Sequence, residues 1–161
     1  MSTSAPTILR PATNRDRDAI EALLRAAQLP TEGVADILRA KAADFVVAEQ
    51  GGGVVGAGGL EMTADGALLR SVVVRDDLRS AGVGRRIVER LVHEADCRGV
   101  ALYLLTTTAD NWFPRFGFDR VDRNAVPGAI GETWEFKTGC AQTAVAMVRE
   151  KKRATTGRRG T

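Results

Sequence analysis

The chain has two cysteines, one histidine and one tyrosine among 161 residues, and aromatic residues make up only 5% of it. Cys97 and Cys140 stand 43 positions apart with no C-x-x-C spacing, so neither a disulfide framework nor a thiolate metal site is expected. Both read as plain buried or half-buried thiols. The sole histidine, His93, falls among Arg86, Glu89, Arg90 and Asp96, away from the apolar stripe of its segment, and reads as solvated rather than catalytic. No apolar run approaches the roughly 20 residues that a membrane span needs. Met1 to Ala12 lacks a basic patch followed by an apolar stretch and a small-residue cleavage site. A cytoplasmic protein with no membrane partner is expected.

What is present points to one globular domain. The apolar fraction is 44% and the charged fraction 27%, the composition of a soluble chain long enough to bury one core. The net charge of +3 is unevenly placed: residues 150–161 carry five cations against Glu150, a net +4, which leaves −1 on residues 1–149. The folded part is therefore nearly neutral, and no nucleic-acid partner is expected. Residues 150–161, Gly/Thr-rich and without apolar periodicity, read as a disordered basic tail, and residues 7–149 as the domain. Monomer and homodimer are both compatible with this chain.

Periodicity sketches a mixed α/β order. Thr7 to Arg10 reads as a short strand. Thr13-Asn14-Arg15-Asp16 supplies a helix cap before Ile20, Leu23, Leu24 and Ala27, and a second short helix spans Val34 to Ala43 after a break at Pro30 and Gly33. Phe45 to Ala48 and Val54 to Ala57 form a hairpin about Gly51-Gly52-Gly53, and Ala64-Asp65-Gly66 turns into a strand over Ala67 to Val74. The apolar set Ile87, Val88, Leu91, Val92 and Ala95 predicts a helix over Gly84 to Arg98, stopped at Gly99. A strand over Val100 to Thr106, a short helix over Ala109 to Phe116, and strands over Phe118 to Val121 and Ala144 to Val148 complete the order.

The strand-turn-helix unit Val72 to Val92 carries the most chemistry. Gly82 and Gly84 sit where a helix begins and its first N–H groups point outward, which suits an anion. A Walker P-loop needs G-K-[ST] where this chain has Arg85-Arg86, and a dinucleotide fingerprint needs a third glycine where Ile87 stands. Nucleotide hydrolysis and hydride transfer both drop away.

Arg79-x-x-Gly82-x-Gly84 resembles the R-x-x-G-x-G/A pyrophosphate turn of the GNAT acetyltransferase family, preceded here by Val72-Val73-Val74 and Asp76-Asp77. The element order is similar to the whole GNAT fold: a single domain with a central, mostly antiparallel twisted sheet of about seven strands and about four helices. The stretch Leu104 to Phe118, with Val121-Asp122 and Pro127, is similar to the acetyltransferase domain of bacterial N-acetylglutamate synthases. Leu29-Pro30-Thr31, Gly59-Leu60-Glu61, Leu69-Arg70-Ser71 and Glu135-Phe136 with Cys140 look closer to arsenic-operon-associated amino-acid N-acetyltransferases. The resemblance implies acetyl-coenzyme A as cosubstrate and no metal. It gives Val72 and Val74 backbone pairing with the pantetheine arm, and it gives Arg79 and the amides of Gly82, Val83, Gly84 and Arg85 the pyrophosphate. It further implies an amino-acid-like acceptor, arsenic-containing ones included.

One departure from the family pattern concerns the leaving group. Many members have a tyrosine in Y-x-x-x-G-F, where this chain has Phe113, and Tyr103 lies on the preceding strand. No general acid is assigned, since a thiolate is a tolerable leaving group near neutral pH. The acceptor ammonium must still lose a proton, and Glu61 at the end of its strand is the candidate base, its ordinary reading being a surface glutamate. Arg70 interrupts an apolar strand, and burying a guanidinium is costly without an anionic partner. That partner is either a substrate carboxylate, held by a two-pronged pair, or a neighbouring acid such as Glu61. Thr106 and Thr107 are candidate hydroxyl contacts. Trp112 and Phe113 read as core, with one ring a candidate for the acyl channel. Peptide or protein N-acetylation, and a coenzyme A-binding sensor without turnover, are the competing readings.

Overall fold

The computed structural model describes residues 5–139 and 142–152; Cys140 and most of the basic tail, residues 153–161, lie outside the described residues. Seven strands form one sheet: β1 (Thr7–Pro11), β2 (Phe45–Gln50), β3 (Gly53–Thr63), β4 (Gly66–Val74), β5 (Leu102–Thr106), β6 (Asp119–Val121) and β7 (Val145–Arg149). Their order is β1-β2-β3-β4-β5-β7-β6, with only β4 and β5 parallel. Among the described residues the α-helices are α1 (Arg17–Ala26), α2 (Val34–Lys41), α3 (Val83–Arg98) and the short α4 (Gly128–Gly131). The expected sheet and its near-antiparallel character are thus observed.

Helices cover both faces of the sheet, which explains why β2 begins with an unbroken apolar run. Phe45 and Val47 pack with Ile20, Leu24 and Leu38 of α1 and α2, whereas Val46 and Ala48 pack with Ile87 and Leu91 of α3 on the other face. A strand buried on both sides needs no polar alternation. The closeness of α3 shows at Gly58, where an added Cβ would stand 2.8 Å from Ile87 Cγ2 and 3.0 Å from Leu91 Cδ1.

The helix boundaries have local causes. Thr13 and Asp16 form a capping box ahead of α1. At the other end Gln28 takes a left-handed φ of 60°, with Gln28 N donating to Arg25 O and Leu29 N to Leu24 O, a Schellman stop. Pro30 follows, so the chain leaves α1 toward the centre of the sheet. Two segments differ from expectation. The helix over Ala109 to Phe116 shrinks to a 3-10 turn at Phe113–Phe116, because Pro114 fits only the first turn of a helix and disfavours helical geometry in the residue before it. Between β6 and β7, where the sequence pattern suggested no element, the chain forms a 3-10 turn (Arg123–Ala125), α4 and a π-helical turn (Glu135–Gly139). These pack Ile130 and Phe136 onto Leu68, Tyr103 and Ala146 as a third apolar cluster.

Candidate active site

The β4/β5 contact is where the sheet opens. The two strands pair only at Ala67–Leu102 and Leu68–Tyr103, and beyond that point they diverge. On its other edge β4 stays paired with β3, but the register steps from Ala57–Val73 to Gly59–Arg70, so three steps on β4 match two on β3. The extra residue makes a bulge, with Ser71 at φ 59°, a conformation that β-carbon-bearing residues seldom adopt. Divergence and bulge together make a cleft of about 390 Å³, walled by Leu69 to Val72 on one side and Leu104 to Ala109 on the other.

The glycine turn lies past the end of β4. A 3-10 turn over Asp76–Ala81 leads to Gly82 at φ 82°, ψ 8°, the left-handed N-cap of α3. An added Cβ at Gly82 would meet nothing within 4 Å, so space is free there and only the backbone conformation calls for glycine. The first bond onto α3 runs from Arg86 N to Gly82 O at 3.2 Å, which leaves the amides of Val83, Gly84 and Arg85 ahead of the helical ladder. Arg79 and Arg85 are exposed and lean on Asp76 (3.1 Å) and Glu89 (3.2 Å). Arg75 N donates to Val55 O across the β3 edge at 2.8 Å, and since strand hydrogen bonds alternate sides, Val74 and Val72 turn their backbone groups toward the cleft.

Arg70 lies at the bulge with its side chain 2% exposed. Nη1 donates to Glu61 Oε1 at 2.8 Å, Nε to Ser71 Oγ at 3.1 Å, and Nη2 to the carbonyl of Glu32. Three of its five N–H donors are thus engaged within the protein. Glu61, 26% exposed at its side chain, opens on a second cavity with Met62 and Trp134 on the far side of Arg70 and is not on the cleft wall. Thr106 and Thr107 both line the cleft, and Thr106 Oγ1 also accepts from Ala109 N at 2.9 Å.

Phe113 is buried and touches the cleft, as does Trp112, and the two rings meet edge to face at 5.0 Å. Trp112 also approaches Gly84, so the cleft runs from the bulge toward the glycine turn. Tyr103 sits in the third apolar cluster rather than on the cleft, and burial, with the nearby charges of Glu150 and Asp65, raises its pKa. His93 is exposed. Cys97 is exposed too, contrary to the buried or half-buried thiol expected, because it sits one turn beyond His93 on the wet side of α3, with the two side chains 3.5 Å apart. Among the described residues no group of three or more His, Cys, Asp or Glu is placed to hold a metal ion, and no helix is long and apolar enough to cross a membrane.

Sequence reasoning did not single out Glu135 as a site residue. Its side chain, 12% exposed, lines the cleft with Oε2 at 3.9 Å from Arg70 Nε. Glu135 is 65 positions beyond Arg70, so only the fold brings the two together.

A family model for the acetyltransferase (GNAT) domain matches residues 41–120. An uncharacterised N-acetyltransferase of Chlorobaculum tepidum is 30% identical over 111 residues, covering 66% of this chain and 70% of the relative. The chain belongs to the GNAT acetyltransferases. By family it is an N-acetyltransferase, and its fold recurs in distant GNAT structures. N-acetylglutamate synthase from Neisseria gonorrhoeae, solved with coenzyme A and N-acetyl-glutamate, superposes with a TM-score of 0.76 at 21% identity, over 94% of this chain and 37% of the synthase. This GNAT chain thus spans little more than a third of that synthase. Rv2747 from Mycobacterium tuberculosis, solved with CoA and NLQ, superposes with a TM-score of 0.73 at 22% identity, over 89% of this chain and 98% of Rv2747.

Proposed function

We propose that this enzyme acts in the cytoplasm and transfers an acetyl group from acetyl-coenzyme A directly to the α-amine of a small amino acid or amino-acid-like toxin, arsenic-containing analogues included. The pyrophosphate would rest on Arg79 and the amides of Gly82, Val83, Gly84 and Arg85. The pantetheine arm would pair with Val72 and Val74, and Thr106 and Thr107 would lend hydroxyl contacts across the cleft. The open β4 edge supports this placement, because its backbone groups otherwise lack a neighbouring strand.

The observation that carries the amino-acid reading is the pair of opposite charges at the bulge. Arg70 and Glu135 stand 3.9 Å apart on the wall of the cleft, and they are the only ionisable side chains among its described lining residues. A cation beside an anion at that spacing complements the ammonium and carboxylate of an α-amino-acid zwitterion, which are themselves joined through a single carbon. The Neisseria synthase and Rv2747 were each solved with a small molecule beside the coenzyme, which agrees with a small acceptor.

Acetylation of a peptide N-terminus is the second reading. It is favoured by the second cavity, of about 590 Å³, where Met62 and Trp134 are exposed beyond Arg70. Free-thiol release from acetyl-coenzyme A, measured over a panel of α-amino acids, their amides, short peptides and phosphorus- or arsenic-containing analogues, separates the two. Turnover of free amino acids but not of their amides is the expected result. Equal turnover of amides and peptides would move the function to peptide acetylation.

A further inference from the structure

Two carboxylates flank Arg70, and they differ in what they face. Glu61 takes the shorter contact, 2.8 Å to Nη1, and belongs to the second cavity. It neutralises the guanidinium where the low exposure of Arg70 makes a bare charge most costly. Glu135 lies 3.9 Å from Nε and faces the cleft. Of the two carboxylates, the one on the cleft side is that of Glu135.

The chain around Glu135 is built to hold it there. Glu135 opens the π-helical turn, a wide-turn geometry that recurs at functional sites. Its neighbours point elsewhere: Trp134 lines the second cavity, and Phe136 is buried in the third apolar cluster. The carbonyl of Phe136 accepts from Arg123 Nη2 at 3.0 Å, and Lys137 N donates to Thr133 O at 3.0 Å. A side chain fixed between an anchored aromatic and a surface ring loses little further freedom when a ligand arrives. On the opposite side, Arg70 Nε bonds Ser71 Oγ at 3.1 Å. Glu135, Arg70 and the bulge residue therefore converge at one point of the cleft.

We infer that Glu135, rather than Glu61, is the general base of the acetyl transfer, standing at the bulge beside Arg70, the partner of the substrate carboxylate in the reading above. This rests on the acetyltransferase reading and adds the proton step to it. The Glu135 carboxylate takes one proton from the acceptor ammonium. The nitrogen lone pair so freed forms the C–N bond to the acetyl carbon, the C–S bond breaks with its electron pair on sulfur, and coenzyme A leaves as the thiolate. The second proton on nitrogen then passes to solvent, leaving a neutral amide.

The test is steady-state thiol release by the full chain and by Glu135→Gln, Glu135→Asp and Glu61→Gln with the best acceptor of the panel as a function of pH, with far-UV circular dichroism of each variant as the folding control. Glu135→Gln is expected to lower kcat for the ammonium acceptor by about 100-fold or more, the range of a lost general base, with KM for acetyl-coenzyme A unchanged within about twofold. The loss should shrink as the pH approaches the acceptor amine's own pKa, where the free amine needs no base, and an unchanged far-UV dichroism spectrum shows that the variant is folded. Glu135→Asp should recover part of the loss, and Glu61→Gln should cost less than about tenfold. A folded Glu135→Gln that keeps kcat within about threefold, or whose loss is the same at every pH, overturns the assignment. An unaltered chain that releases no thiol with any amine overturns the acetyl-transfer reading as well, so the two failures are distinct.

Discussion

Glu61 and Arg70 are diagonal neighbours on adjacent strands: Gly59 pairs with Arg70, Glu61 lies two residues further along β3, and the two side chains meet at 2.8 Å. Residues two apart on a strand share a face, so the register itself delivers the carboxylate to the guanidinium. Arg70→Ala removes the cation from between two carboxylates and from the Glu32 carbonyl. A stability loss of about 3 kcal/mol is expected, the usual cost of breaking a buried pair from one side. Urea unfolding measures it. A change below about 1 kcal/mol, the level of an exposed pair, would show that Arg70 is not structural.

Gly82 and Gly99 mark the two ends of α3, both with left-handed φ and both with open space around an added Cβ. Placing a side chain at either end should cost a similar 1–2 kcal/mol or so in backbone conformation. Only Gly82 lies on the proposed pyrophosphate turn. Titration calorimetry with acetyl-coenzyme A should show at least a tenfold loss of affinity for Gly82→Val and little change for Gly99→Val, relative to the parent. Equal affinities would remove the turn from the cofactor site.

Gly58 lets α3 settle onto β3. Gly58→Ala would set a methyl 2.8 Å from Ile87 Cγ2, an atom attached to the helix too near its backbone to swing away. A loss of about 1–3 kcal/mol is expected from this overpacking, read as a lowered thermal midpoint. An unshifted midpoint would mean that the helix backs away at no cost.

Two acids couple stability to pH. The Arg10 hydrogen bond holds Asp16 below its ordinary pKa of 3.8, and the Arg149 hydrogen bonds do the same for Asp96, which α3 presents to β7. A folded-state pKa below the unfolded value contributes stability that is fully present above the unfolded value and lost as pH falls through the folded one. For these two groups the midpoint should therefore hold from pH 8 to about 5 and decline below about 4. Asp96→Asn should cost about 2 kcal/mol near neutrality, and the deficit should shrink progressively as pH falls below about 4. A deficit that stays constant across that range would contradict the linkage.

The glycine turn was legible because everything about it is local. A left-handed glycine, a following helix with an apolar stripe and a preceding valine strand occupy adjacent positions, and their physics depends on little else. The hairpin at residues 51–53, the stop at Gly99 and the unalternating strand at Phe45 were readable for the same reason. Arg70 was legible only by halves: a cation in an apolar strand demands an anion, but which one depends on register, and the structure pairs it with Glu61 and stands Glu135 beside it.

By itself the sequence determined the order of the strands and of the first three helices, the turn that precedes α3 and the demand for a partner at Arg70, since short-range periodicity, capping and desolvation are written along the chain. Only the tertiary structure decided where the sheet opens and which carboxylate faces that opening. The β4/β5 divergence is a relation between strands separated by a whole helix. Glu135 reaches Arg70 across 65 positions because Phe136 must be buried against Leu68 and Tyr103, and burying that ring turns the preceding side chain into the cleft.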